Sequence, residues 1–286
     1  MKNSIFNLKN LILCIGMLLF AGCDKIEDPI YKIIEDVEVQ IPFPDLDTLS
    51  VFRKILIEEY TGHYCSNCPK GHEKLAELAN RYGDTLVMIG IHAGSSAQVL
   101  PLPELGYPED FRTTMGTQLA EDFGVYGIPS AVINRATTPN IDVSSWEQDI
   151  QNANRAKPVA ALQLNRQWVG EQVVVGVKTT LLSPYENPVL LSLFLIEDSI
   201  VAPQLNGSVR DSAYVHKHVL RASFSEGTYG NRLSQTGVLA KDSSYTRGFT
   251  ITFAGETWRR EHCTAIAILQ NEISREVLQT EELHLK

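Results

Sequence analysis

Two cysteines three positions apart lie where a strand pattern changes into a helix pattern, and this junction constrains the fold more than any other stretch. Residues 54–57 form a short apolar run typical of a buried strand, whereas Leu75 and Leu78 recur at helical spacing. Cys65 and Cys68 are therefore predicted at the start of a helix. Free backbone N–H groups and the positive end of the helix dipole stabilise a thiolate there, so we expect the thiol pKa to fall below that of free cysteine.

Residues 1–22 have the pattern of an export signal. Lys2 and Lys9 precede an apolar run from Leu11 to Phe20, which is too short to span a bilayer because about 20 apolar residues are needed. The following Ala-Gly-Cys23 resembles a bacterial lipobox, in which cleavage leaves Cys23 as a lipidated N-terminus. Ordinary secretion with an incidental Cys23 is the alternative. Acyl chains would anchor the protein to a membrane without a transmembrane helix.

Charge and cysteine usage exclude two classes of protein. Loss of residues 1–22, which hold two lysines and no acids, changes the formal net charge from -9 to -11, and a nucleic-acid partner would need a basic surface. Of five cysteines, only the close pair and Cys263 remain beside the lipobox cysteine, so the chain is not a disulfide scaffold. We expect Cys263 to be buried and inert.

The chain divides into four predicted regions. Residues 23–50, with many acids and three prolines, form a tether after the signal of residues 1–22. Residues 51–157 alternate strand and helix patterns, which favours an α/β domain. Residues 158–286 contain strand after strand, which favours an all-β sandwich of the immunoglobulin-like kind. The seven predicted strands of this last region are 159–164, 172–182, 189–197, 215–224, 245–253, 263–270 and 276–283.

The cysteine pair and two further features resemble thioredoxin-fold proteins. Glu59 lies six residues before Cys65, where thioredoxins keep a buried acid that helps to deprotonate the second cysteine. The segment Gly127-Ile-Pro-Ser130 resembles the loop that holds a cis proline beside the cysteine pair. The resemblance therefore implies a thioredoxin-like domain with a cis bond before Pro129 and a proton-accepting role for Glu59.

The same resemblance implies a role for each cysteine and for three substrate-binding residues. Cys65 would be the exposed nucleophile that attacks a partner disulfide, and Cys68 the resolving thiol that releases it. Ile128 and Pro129 would present backbone to the partner. Tyr64 occupies the place of the usual tryptophan.

The residues between the cysteines differ from those of better-known members. Ser66-Asn67 is neither the Gly-Pro of thioredoxin nor a histidine-containing pair. We therefore expect a modestly lowered pKa for Cys65 and no strongly oxidising character.

Residues 50–286 also resemble the 28 kDa outer membrane lipoprotein family of Bacteroidetes. The likeness is carried by Tyr60-Thr-Gly-x-x-Cys-x-x-Cys-Pro-x-Gly-His72, Val215-His-Lys-His-Val-Leu-Arg221 and Ala267-Ile-Leu-Gln-x-x-x-x-Arg-Glu-Val-Leu-Gln279. The resemblance implies a thioredoxin-like domain followed by a β-sandwich domain. It also implies lipid anchoring at the outer membrane, facing either the periplasm or the surface.

Other interpretations of the cysteine and histidine residues remain. The pair could be a structural disulfide, or Cys65 and Cys68 could bind zinc or copper with His63 and His72, although helix geometry argues against this arrangement. The strand pattern at 215–224 would place His216 and His218 on one face, which we interpret as a polar sheet face. We predict no metal and no cofactor.

Two functions fit these patterns. The first is thiol-disulfide exchange with envelope proteins or small disulfides, by a protein held to the membrane through its lipid. The second is a non-catalytic surface receptor or adhesin that uses the fold as a scaffold. The sequence does not decide whether the chain is an enzyme, and it does not indicate an oligomeric state.

Overall fold

The computed structural model describes residues 41–102, 106–153, 157–234 and 238–286. The predicted signal peptide, Cys23 and residues 24–40 of the predicted tether lie outside these ranges. Within them the chain is mostly β-strand in mixed sheets, with helices α1 (Cys68–Tyr82), α2 (Thr114–Asp122) and α3 (Trp146–Ala153). No helix of the described ranges is long and apolar enough to cross a membrane.

Fifteen strands occur within the described ranges. They are β1 (Ile55–Thr61), β2 (Leu86–His92), β3 (Ser130–Ile133), β4 (Ala160–Val169), β5 (Gln172–Leu181), β6 (Val189–Glu197), β7 (Ile200–Val201), β8 (Gln204–Asn206), β9 (Val209–Asp211), β10 (Val215–His216), β11 (Val219–Ser223), β12 (Asn231–Arg232), β13 (Ser244–Thr252), β14 (Cys263–Asn271) and β15 (Val277–His284).

The amino-terminal half follows the predicted alternation of strand and helix. The order is β1, α1, β2, α2, β3 and α3, and α1 begins at Cys68 with Pro69 in its first turn, where proline is well tolerated. Leu75 and Leu78 lie on the buried face of α1 and belong to one core with Ile55 of β1 and Trp146 of α3. The helical spacing of the sequence therefore buries α1 against the sheet directly behind the cysteine pair.

One large sheet joins strands from both sides of residue 157. Its order is β15-β14-β6-β11-β2-β1-β3, with β12 also paired to β6. β1 and β2 are parallel, and β11 joins β2 in parallel through the pair Val219 and Gly90. The Gly90 N–H donates to the His218 carbonyl at 2.7 Å. The sheet thus continues across the predicted domain boundary.

A second sheet, β13-β5-β4, packs on one face of the large sheet. Val173, Val175 and Val177 of β5 form a core with Leu193 and Leu195 of β6. The intervening side chains of β6 point the other way, because side chains of a strand alternate between faces. Phe194 and Ile196 accordingly belong to the core that contains Leu119 of α2. β6 and β14 are buried along their whole length as a result.

The last residues of the predicted tether lie against this second sheet. Asn165 donates from Nδ2 to the Pro42 carbonyl at 2.6 Å, and Gln163 donates to the Pro44 carbonyl at 2.7 Å. Ile41 is buried next to Gly176 of β5. Residues 41–44 are therefore part of the folded body.

The prediction of one continuous strand over residues 215–224 is wrong. The backbone forms β10, turns at His218, whose φ is +56°, and resumes as β11. His216 is buried, and the His218 N–H donates to Asp198 Oδ1 at 2.7 Å. The two histidines therefore do not share one strand face, and the prediction of a polar sheet face there is also wrong.

A buried ion pair connects the two halves of the large sheet. Arg135, two residues after the end of β3, donates from Nε to Glu58 of β1 at 3.0 Å and from Nη1 to Gln270 of β14 at 2.6 Å. Both charged side chains are fully buried. The guanidinium also lies over the rings of Phe194 and Tyr229.

Removal of the Arg135 guanidinium should strongly destabilise the protein. Arg135→Met leaves Glu58 as an uncompensated buried charge, and such losses cost about 3 to 5 kcal/mol of unfolding free energy. Denaturant unfolding measures this value. Arg232 and Glu272 form an exposed pair on the surface, so Arg232→Met should lower the unfolding free energy far less than Arg135→Met. Equal effects of the two substitutions would contradict the role assigned to the buried pair.

Candidate functional site

The predicted cysteine pair forms a disulfide at the start of α1. The Cα atoms of Cys65 and Cys68 are 5.4 Å apart. Cys68 is the first residue of the helix and is fully buried, whereas Cys65 is 8% exposed. Cys65 is therefore the more accessible of the two cysteines, although it is nearly buried and not the exposed residue that the resemblance implies; the roles of the two sulfurs stay a prediction.

The proline loop lies against the outer cysteine. The Ile128–Pro129 peptide bond is cis, as the resemblance implies. Antiparallel pairing of β3 with β1 sets Ser130 opposite Tyr60 and so brings this loop beside the end of β1. The Ile128 carbonyl oxygen lies 3.8 Å from Cys65 Sγ. A partner chain bound at this carbonyl would therefore lie next to the sulfur.

An open cavity adjoins the proline loop. Its volume is about 580 Å³, and its lining includes Ser95, Ser96, Val125, Tyr126 and Ile128. Its position next to Ile128 suits a side chain or small group attached to a reacting disulfide.

Tyr64 directly precedes Cys65 and is half exposed. Its backbone N–H donates to the Ser96 carbonyl at 2.8 Å, and its ring meets the Tyr107 ring edge-on at 5.3 Å between centroids. This placement holds the ring at the rim of the site. A role of Tyr64, Ile128 and Pro129 in substrate binding stays a prediction.

Glu59 is the buried acid beneath the helix start. Burial raises the pKa of its carboxyl well above the usual range. Its Oε1 atom has no hydrogen-bond partner within the described ranges and lies 3.7 Å from His72 Nε2. A Cβ on Gly71 would lie 2.4 Å from this oxygen and 3.1 Å from Pro129, so the helix can cover the acid this closely only with glycine.

His72 connects the acid to a tyrosine from the second half of the chain. Its Nε2 is 2.9 Å from Thr61 Oγ1, and its Nδ1 is 2.7 Å from the Tyr214 hydroxyl. Burial, followed by His216 and His218, lowers the pKa of His72 to about 3, so the imidazole is neutral at physiological pH. The ring can therefore donate at one nitrogen and accept at the other.

The β8–β9 hairpin, residues 204–211, covers the cysteine loop. The Leu205 N–H donates to the His63 carbonyl at 2.8 Å, and the Gly207 N–H donates to the Ser66 carbonyl at 2.9 Å. The buried Gln204 side chain donates from Nε2 to the Cys65 carbonyl at 3.1 Å. Residues far along the chain thus fix the backbone between the two cysteines.

Buried histidines surround the other side of this loop. The His92 ring centroid lies 6.4 Å from that of His63 and 5.8 Å from that of His216, and Phe111 packs among them. Burial is the largest cause that lowers the pKa of each of these histidines, and it lowers that of His216 to about 4. These rings are accordingly neutral aromatic packing groups at pH 7.

The alternative of a metal site at the cysteine pair does not fit this geometry. The two sulfurs are bonded to each other, His63 Nε2 is 2.9 Å from the Gln98 carbonyl, and His72 is held by Thr61 and Tyr214. Within the described ranges no group of three or more histidine, cysteine or acidic residues is placed to hold a metal ion.

Cys263 is a free cysteine of β14 and is buried, as predicted. Burial raises the pKa of its thiol, with Glu197 as a second cause. A buried thiol of raised pKa is a poor nucleophile, because the thiolate is the reactive form. Cys263 is therefore a packing residue of the core and not a reactive thiol.

The sequence patterns indicated neither the hairpin nor Tyr214, and they suggested His72 only as a metal ligand. The available signal was Gly207-Ser208, a pair typical of a two-residue hairpin loop with positive φ at its first position, and φ of Gly207 is +59°. That signal locates a hairpin but does not say what the hairpin covers. The contact with Tyr214 had no local signal.

Comparison with known proteins identifies a family and similar folds. The profile of the family described as outer membrane protein Omp28 matches residues 116–286. None of the curated proteins matches the sequence. HBP35 of Porphyromonas gingivalis has a similar structure at 14% identity and a TM-score of 0.64, over 82% of this chain and 76% of that chain. The identity is low, so the similarity concerns the fold alone.

Two further solved structures are similar. Protein AGR_C_4864 from Agrobacterium tumefaciens matches at 13% identity and a TM-score of 0.50, over 83% of this chain and 96% of that chain. A domain of the outer membrane lipoprotein Omp28 from P. gingivalis matches at 14% identity, over 45% of this chain and 89% of that chain. Its TM-score of 0.31 is too low to establish a common fold.

After reduction of the native protein, iodoacetamide should modify Cys65 before Cys68 and Cys263. Cys65 is the outer sulfur, whereas the other two thiols are buried. Mass spectrometry of the separate peptides measures the order, and labelling in denaturant is the control that shows all three thiols to be reactive once exposed. Equal modification of Cys263 and Cys65 in the folded protein would contradict this assignment.

Acidification should destabilise the fold through His216. Its pKa is about 4 in the folded protein against 6.5 for an ordinary histidine, so between these pH values the unfolded chain binds a proton that the native chain does not. Stability therefore falls as the pH falls, by up to roughly 1.4 kcal/mol per unit.

Urea unfolding at pH 7, 6 and 5 of wild type and His216→Phe measures this effect. Phenylalanine preserves packing against Phe111 and Tyr214. The raised pKa of Glu59 makes stability rise as the pH falls, which is the opposite direction. This contribution is present in both proteins, so it cancels when the pH dependence of the variant is subtracted from that of wild type. Parallel pH dependences of the two proteins would show that His216 is not responsible.

Proposed function

The chain belongs to the Omp28 family of outer membrane proteins, and on that premise we propose that it exchanges disulfides with extracytoplasmic partners through Cys65 and Cys68. Membership implies the outer membrane of the bacterial envelope. The observation that carries the proposal is the disulfide at the start of α1, with its outer sulfur beside the cis Pro129 loop and a buried acid, Glu59, behind it.

The proposed reaction transfers two electrons between the cysteine pair and a partner disulfide. In the dithiol form the Cys65 thiolate attacks one partner sulfur, which forms a mixed disulfide and releases the other partner sulfur as a thiolate. Cys68 then gives its proton to the Glu59 carboxylate and attacks Cys65 Sγ. The second partner sulfur leaves as a thiolate, the partner is reduced to a dithiol, and the pair returns to the disulfide.

The surroundings of Cys65 support a partner that binds as an extended segment or as a small disulfide. The Ile128 carbonyl is available next to the sulfur, and the neighbouring cavity of about 580 Å³ offers space for a side chain. Tyr64 and Tyr126 are exposed at the rim. Envelope proteins and small disulfides both satisfy these requirements.

The proposal includes an assignment of fold and anchoring. Residues 51–157 would be a thioredoxin-like unit, supported by the order of strands and helices and by the cis proline. Residues 158–286 would be an immunoglobulin-like sandwich, supported by two packed β layers. Cys23 would carry the lipid that holds the protein on the membrane.

A second candidate function is a surface receptor or adhesin in which the disulfide is only structural. The observation in its favour is the 204–211 hairpin, which leaves Cys65 nearly buried. A covered disulfide reacts slowly with partners because exchange requires access to the sulfur.

A Cys68→Ser variant should trap mixed disulfides through Cys65 in intact cells. The serine cannot resolve the intermediate, so the partner stays attached and dithiothreitol releases it. Non-reducing electrophoresis detects the adducts. Cys65→Ser/Cys68→Ser is the control for adducts through other cysteines, and Cys263→Ser should behave as wild type. A folded, exported Cys68→Ser protein that traps nothing under oxidising conditions would favour the receptor.

A further inference from the structure

We propose that His72 and Tyr214 form the path by which the buried Glu59 exchanges protons with solvent during thiol-disulfide exchange. This inference rests on the proposed function and assigns two positioning residues to the same site. Neither residue needs to touch the partner.

Glu59 needs such a path because it is isolated. Its side chain is 2% exposed, and Oε1 has no hydrogen-bond partner within the described ranges. A Cβ on Gly71 would collide with this oxygen and press against Pro129 and Trp146, so the helix backbone packs directly over the acid. His72 Nε2 is hydrogen-bonded to Thr61 Oγ1 at 2.9 Å and lies 3.7 Å from the Glu59 carboxyl, so a small movement of the ring must bring it to the acid. The His72 side chain can carry a proton and is itself 20% exposed.

His72 is placed to move a proton onward. It lies one helical turn after Cys68, and its ring bridges from the Glu59 side to the Tyr214 hydroxyl, which is 2.7 Å from Nδ1. Tyr214 is partly exposed. An imidazole takes up a proton at one nitrogen and releases another from the second nitrogen, so the charge need not remain on the ring.

The groups around the ring keep it neutral between transfers. Burial, followed by His216 of β10 and His218 of the turn after it, lowers the pKa of His72 to about 3. Burial, together with the nearby acids Glu59 when it is ionised, Glu73 and Asp211, raises the pKa of Tyr214 to about 12. A neutral imidazole beside a protonated phenol passes a proton without storing it.

The path acts once as the pair is oxidised. Glu59 must lose a proton to solvent before it can accept the proton of Cys68, because burial favours the neutral carboxyl. When the Cys68 S–H bond breaks and its sulfur bonds to Cys65, the proton of Cys68 returns Glu59 to the neutral acid with which the cycle began. The electron pair of the broken mixed disulfide departs on the partner sulfur.

The test follows the reaction of the reduced mature protein with 5,5′-dithiobis(2-nitrobenzoate). Attack by Cys65 releases a first coloured thiolate, and attack by Cys68 releases a second, so stopped-flow absorbance separates the two steps. His72→Ala should slow the second step about tenfold and leave the first step unchanged. A positioned acid or base raises a rate by about 10² to 10⁴, and a group that only relays the proton should contribute a smaller rate factor. Added imidazole should restore the second step.

Tyr214→Phe removes only the hydroxyl and serves if His72→Ala does not fold. It should slow the second step severalfold and change the effect of D₂O on that step. Tyr185→Phe and His284→Ala are controls, because their side chains bond Asn271 and Thr264 away from the cysteines. Both steps should be unchanged in them.

Three outcomes are decisive. An unchanged second step in folded His72→Ala, or in Tyr214→Phe over pH 6 to 9, overturns the relay while the proposed function stands. A slowed second step that imidazole does not restore also overturns it, because a structural loss would explain the rate. A wild-type protein that releases no second thiolate overturns the proposed function itself.

Discussion

The buried pair of Glu58 and Arg135 is the interaction on which the joined sheet depends. Two charges removed from water are costly unless each is paired and hydrogen-bonded, and here the guanidinium satisfies Glu58 of β1 and Gln270 of β14 at once. Only a correctly assembled sheet brings these strands together around Arg135. The cost of burying the charges therefore favours one arrangement of the two halves over alternatives in which the pair is broken.

Glu59, the next residue of β1, is buried as a neutral acid and not as one half of an ion pair. Consecutive side chains of a strand point to opposite faces, so Glu58 meets Arg135 while Glu59 points beneath α1. Glu59 has no cationic partner within the described ranges, and its carboxyl is instead pushed toward the neutral form by burial. One acid thus holds the sheet together as an ion, and its neighbour is suited to take up and give back a proton.

Local patterns predicted the amino-terminal half well because its signals are local. Helical spacing located α1, the strand-to-helix junction located Cys68 at its first residue, and the resemblance identified the cis bond before Pro129. The same approach failed at His218, because a non-glycine residue with positive φ breaks a strand without a sequence signal.

Long-range contacts could not be derived either. The hydrogen bond between His72 and Tyr214 and the cover of the 204–211 hairpin join segments more than a hundred residues apart. Side-chain patterns within each segment carry no information on such partners. The site is consequently built from both halves of the chain, and the carboxyl-terminal half cannot be treated as a separable appendage.

The hairpin holds the cysteine loop only through main-chain carbonyls of that loop, although one of the donors is the Gln204 side chain. Its hydrogen bonds end on the carbonyls of Gly62, His63, Cys65 and Ser66, and none ends on a side chain of Ser66 or Asn67. The two residues between cysteines are the usual means by which redox pairs are tuned. Substitutions of Ser66 and Asn67 can therefore change the reduction potential of the cysteine pair without disturbing the hydrogen bonds of the 204–211 hairpin.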